Sequence, residues 1–104
     1  MDEPTRTRSF GHDGLTFDVR TGGPDSGEVV VLLHGFPTDR SSWDRISPLL
    51  HAAGLRTLAP DQRGYSPSAR PQGRAAYRLG EVADDVVALA DAVGAHAVHV
   101  VGHD

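Results

Sequence analysis

His96-Ala97-Val98-His99-Val100-Val101-Gly102-His103-Asp104 is the stretch from which the fold is read. Its small and β-branched residues close on a glycine, the pattern of a buried parallel strand followed by a turn that lifts one side chain out at the strand's C-terminal end. In an open α/β sheet, ligands bind at that end. Two more apolar runs lie upstream, Val29-Val30-Val31-Leu32-Leu33 and Leu55 to Ala59, and helical patterns separate the three. Strand, helix, strand, helix, strand predicts a sheet whose later strands run parallel, with short right-handed crossovers.

Gly102-His103-Asp104 resembles the first half of the nucleophile elbow of the α/β-hydrolase family in its G-x-D-x-G form. That form is similar to the epoxide hydrolases and haloalkane dehalogenases, which carry aspartate where esterases and lipases carry serine. The elbow's second glycine would fall at position 106, so half of the motif is present. Directly after Val29 to Leu33 comes His34-Gly35-Phe36-Pro37, which resembles the family's H-G-x-P segment. There glycine lets the backbone turn, and the amide of the next residue points into the oxyanion hole. The resemblance implies Asp104 as nucleophile and the Phe36 amide as oxyanion donor, with His34, Gly35, Pro37, Gly102 and His103 as motif residues around them. It also implies a strand order of 1-2-4-3-5, which sets the strand before His34 beside the strand before Asp104 and the two helices on opposite faces.

Upstream, Arg6 to Phe10 and Leu15 to Arg20 alternate apolar and polar residues around Gly11-His12-Asp13-Gly14, predicting a hairpin at a sheet edge. Thr21 to Gly27 reads as a loop. After His-Gly-Phe-Pro, Ser41 or Ser42 is placed to cap a helix, and Trp43, Ile46, Leu50 and Ala53 fall on one stripe. Pro48 predicts a short turn over Trp43 to Ser47, with regular helix resuming near the proline. Trp43 reads first as core and is also the candidate for substrate contact. Pro60-Asp61-Gln62-Arg63-Gly64-Tyr65-Ser66 resembles the loop after the family's fourth strand, where Asp and Arg hold the loop in shape. Ser66 lacks the elbow's second glycine and precedes a proline, so it does not read as a nucleophile. After a Pro, Gly and Arg loop over Ala69 to Arg78, Leu79, Val82, Ala83, Val86, Leu89, Ala90 and Val93 repeat at helical spacing up to Gly94. Glu81, Asp84, Asp85 and Asp91 read as that helix's solvated face.

With 104 residues, 38% of them hydrophobic, and a net charge of -4, residues 1–104 read as a single partial α/β domain ending at the elbow. The absence of cysteine excludes a disulfide framework and a thiol nucleophile, and the mild acidity gives no case for nucleic acid or membrane binding. Met1-Asp2-Glu3-Pro4 carries no signal-peptide pattern, so a cytoplasmic protein is expected. His12 and His51 read as surface positions. His96 and His99 alternate across a strand, which argues against a metal site. No glycine-rich phosphate loop follows any strand, so no nucleotide or other cofactor is expected.

The chemistry that the resemblance implies suits aspartate, which is ionised at neutral pH without a base. It attacks an sp3 carbon to give an alkyl-enzyme ester, which histidine-activated water then hydrolyses. The family's histidine and acid come from beyond the elbow, so these residues alone are expected to be inactive. A small-molecule epoxide is the favoured substrate, with a haloalkane or haloacid as the alternative. A reading of another class is a non-catalytic module that self-associates through its last strand.

Overall fold

The structure, a computed structural model, describes residues 6–35 and 40–102. Five strands form one mixed sheet in the order β1-β2-β4-β3-β5, as expected. β1 (Arg6–His12) and β2 (Leu15–Gly22) pair antiparallel around Asp13-Gly14, both at positive φ (55° and 75°), the two-residue reversal that matches strand twist. Each strand runs two residues beyond its alternating stretch. The ladder continues through His12↔Leu15 to the turn, and Gly22 finds Thr57 across the next pairing. β4 (Arg56–Pro60) is antiparallel to β2 and parallel to β3 (Val29–Leu33), which in turn is parallel to β5 (Val98–Gly102).

β3 is an interior strand of the sheet, and its period-two alternation divides the core. Val29 and Val31 join Val19, Leu58 and Leu89 on one face, while Val30 and Leu32 join Ala59 and Trp43 on the other. α2 (Leu79–Ala92) covers the first cluster through Leu89 and Val86. On the opposite face Leu50 of α1 (Ser47–Ala52) and Trp43 cover the second. Both helices end on a glycine at positive φ, Gly54 and Gly94. In each case the residue after it closes a bond back to the helix, Leu55 to the Leu50 carbonyl and Ala95 to the Ala90 carbonyl, both at 3.0 Å.

Several expectations need correction. The stripe Trp43, Ile46, Leu50, Ala53 holds only in Trp43 and Leu50, since Ile46 and Ala53 are exposed and the buried residues of α1 are Ser47 and His51. A 3-10 turn over Arg40–Trp43 comes first and α1 begins only at Ser47, so the 3.6-residue period restarts there, with Pro48 in a first turn that lacks no bond for it. For the same reason neither Ser41 nor Ser42 occupies the N-cap of α1, which is Ile46 without a side-chain bond. His51 is not a surface residue but 5% exposed, with Nε2 2.7 Å from Thr57 Oγ1 of β4. Asp85, on the helix side read as solvated, is 7% exposed, while Leu79 and Ala83 of the expected apolar face are exposed. Among the described residues no helix is long and apolar enough to cross a membrane.

Candidate active site

The C-terminal ends of β3, β4 and β5 lie at one end of the sheet. The pairing of β3 with β5 runs in register from Val29↔Val98 to Leu33↔Gly102. His34-Gly35 and the continuation of β5 therefore leave adjacent strands at the same level. Phe36, Pro37, His103 and Asp104 fall outside the described residues, so the geometry available is that of their supports: His34, Gly35, Gly102, Trp43 and the loop after β4.

His34 is 5% exposed and fixed at both ring nitrogens. The backbone N–H of Gln62 donates to His34 Nε2 at 3.1 Å, so that nitrogen is an acceptor and the ring proton sits on Nδ1, 3.2 Å from the Gly35 carbonyl. The Gln62 side chain donates from Nε2 to the His34 carbonyl at 2.6 Å. Tyr65 packs edge-on against the imidazole, centroids 4.6 Å apart at 81°. His34 is thus a strut between two loops.

The loop that holds it is itself tied down in two directions. Towards β2, the Asp61 N–H donates to the Asp18 carbonyl (2.8 Å). The fully buried Ser66 hydroxyl accepts from the Asp18 N–H (3.0 Å) and donates to the Asp61 carbonyl (2.7 Å). Ser66 is structural, as its sequence context implied. Towards α2, Arg63 is 6% exposed and meets Asp85 as a fork, Nε to Oδ2 at 2.9 Å and a terminal nitrogen to Oδ1 at 2.8 Å, while its other terminal nitrogen donates to the Ala76 carbonyl at 2.9 Å. The Asp85 hydrogen bond raises the Arg63 pKa above its ordinary value; burial works against this, and the charges of Asp85, Glu81 and Asp13 add to the rise. His12 Nε2 lies 3.7 Å from Asp85, which makes the hairpin end of β1 part of the same cluster.

Sequence reasoning took Arg63 as a loop anchor but missed its partner. A signal was there: Asp85 stands three residues after Val82 and four before Leu89, spacing that puts it beside the apolar stripe rather than opposite it. Trp43 is 5% exposed within the core cluster of Val30, Leu32 and Ala59, in accord with its first reading.

A family profile described as the alpha/beta hydrolase fold matches residues 28–104. The chain belongs to the α/β-hydrolase family. Within that family its relatives include epoxide hydrolase B of Mycobacterium tuberculosis, 49% identical over 82 residues that make up 78% of this chain and 23% of that protein. Epoxide hydrolase A of the same species is 42% identical over all 104 residues, 32% of its length. Among solved structures, epoxide hydrolase A from Mycobacterium thermoresistibile superposes with a TM-score of 0.92 at 36% identity, covering 97% of this chain and 32% of that one. This hydrolase-fold chain therefore spans about a third or less of the relatives it matches. The strands and helices described here correspond to the N-terminal part of their shared fold.

Proposed function

We propose that this chain carries the nucleophile and one oxyanion donor of an epoxide hydrolase, Asp104 and the Phe36 amide, with His34, Gly35, Pro37, Gly102 and His103 shaping the turns that present them. The observation that supports the reading is the register of β3 against β5, which ends with Leu33 opposite Gly102, so that His34-Gly35 follows the one strand and the sequence His103-Asp104 the other. The similarity to enzymes named epoxide hydrolase favours an epoxide over a halide as substrate.

In this scheme a carboxylate oxygen of Asp104 forms a bond to an epoxide carbon, the ring C–O bond breaks, and the ring oxygen takes a proton from an acid assigned, like the base for the later hydrolysis, to the rest of the full-length protein. Water then attacks the ester carbonyl while the oxyanion is held by backbone amides. The acyl–oxygen bond breaks, releasing a diol and restoring the carboxylate. The base for that water is assigned to a histidine elsewhere in the full-length protein. His34 and His51 are buried in hydrogen bonds to Gln62 and Thr57, and His99 lies against Glu28 at the opposite end of β5.

The test is a single turnover of the full-length protein with an aryl epoxide in 18O-labelled water. Label is expected in the peptide containing Asp104 and not in the first equivalent of diol, and Asp104→Ala is expected to abolish turnover. Label appearing directly in the first diol would overturn the covalent route.

A further inference from the structure

We infer that Gln62 is a positioning residue for the oxyanion turn, an inference that rests on the epoxide hydrolase reading above. β4 pairs with β3 only from Val29 to Val31, so the backbone of His34 is past the reach of that ladder. A carbonyl leaving a sheet still needs a donor, and the 2.6 Å contact from the Gln62 side chain supplies one to His34. The same residue's backbone N–H fixes the His34 ring, whose other nitrogen bonds the Gly35 carbonyl. One residue therefore grips both the main chain and the side chain of His34, two residues before the proposed donor amide.

Gln62 is in turn held rigidly. Its carbonyl accepts from the Tyr65 and Ser66 N–H groups (2.8 and 3.1 Å), its predecessor Asp61 is bonded to β2, and its successor Arg63 to α2. His34 and Gly35, the described residues that follow β3, are thus held by this loop as well as by the strand. Nucleophilic opening of the epoxide develops no negative charge on the ester carbonyl, whereas hydrolysis of the ester does. A misplaced donor amide therefore slows the second step and leaves the first nearly unchanged.

The experiment compares the full-length protein with Gln62→Met and the isosteric Gln62→Glu, following formation and decay of the alkyl-enzyme by rapid quench and intact mass with an aryl epoxide. Both variants are expected to form the ester at the parent rate and to hydrolyse it roughly tenfold more slowly, so that the intermediate accumulates and kcat and KM fall together. For Gln62→Glu, the defect relative to the parent is expected to shrink as the pH falls, because a protonated carboxyl regains a donor to the His34 carbonyl while a carboxylate repels it. A purely structural role would lower both rate constants together without that pH dependence, and this result, or unchanged hydrolysis, overturns the inference. If Gln62→Met does not fold, the pH dependence of Gln62→Glu decides alone. If the parent itself forms no ester, the failure belongs to the proposed function and not to Gln62.

Discussion

The two faces of the sheet are closed by different physics. Under α2 the apolar cluster of Val19, Val31, Leu58 and Leu89 is bordered by a buried ionic fork, Arg63 with Asp85. Under α1 the cluster of Val30, Leu32, Ala59 and Trp43 is bordered by a hydrogen bond between His51 and the Thr57 hydroxyl. A hydrogen bond that loses its hydroxyl leaves one polar group to satisfy, but an ionic pair that loses one member leaves a buried charge. The charged side is also the one that anchors the loop bearing Gln62, so the more fragile contact lies nearer to the proposed site.

The largest expected effect is at the ionic fork. Asp85→Ala should cost about 3–5 kcal/mol by stranding the Arg63 guanidinium, read as a fall in the urea midpoint of the full-length protein. A loss under about 1 kcal/mol would mean that Arg63 escapes to solvent. Replacing both partners, Arg63→Met with Asp85→Leu, should recover most of that loss, because no charge remains to be buried. The raised Arg63 pKa contributes stability that is fully present at neutral pH and lost only as pH rises through the folded value, at strongly alkaline pH. Next comes Leu58→Ala, fully buried in the first cluster, at about 3 kcal/mol. Thermal melts on both this variant and its counterpart Leu32→Ala should show similar losses if the two faces differ only in their polar borders.

On the α1 side, Thr57→Val should cost about 1 kcal/mol, and a loss as large as that of Asp85→Ala would erase the distinction between the faces. The smallest effect is expected at the surface fork of Arg20 with Asp44, where both bonds are 2.8 Å but the side chains are 30% and 41% exposed. Asp44→Ala should change stability by less than about 1 kcal/mol, and less still in high salt.

Much of this architecture was legible in the sequence, and the misreadings share a cause. Asp13-Gly14, the run from Val29 to Leu33 and the glycines ending the helices are local signals, and each did what its backbone chemistry requires. The strand order came from the resemblance of His34-Gly35-Phe36-Pro37 and Gly102-His103-Asp104 to a known family, not from any local pattern. Asp85 and His51 are buried by partners outside their own helices, Arg63 and Thr57; for Asp85 the helical spacing beside the apolar stripe hinted at this, and for His51 nothing along its helix did. Gln62 gave no signal, since a glutamine in a polar loop looks like any other until the carbonyl that it serves is seen. The stripe through Trp43 failed for a plainer reason: helical period was read across a break in the helix.

The adjacency of β3 and β5 has a consequence during synthesis. β1 and β2 can zip together as soon as their turn leaves the ribosome, on the microsecond scale of hairpins. β3 must wait for a partner that lies about seventy residues downstream, from Val29 to Val98, which at ordinary translation speeds is about 3 to 14 s. For those seconds a strand of five consecutive aliphatic residues has one edge open in the nascent chain, and a chaperone that shields it would be expected to raise the yield of folded protein more than one acting after release.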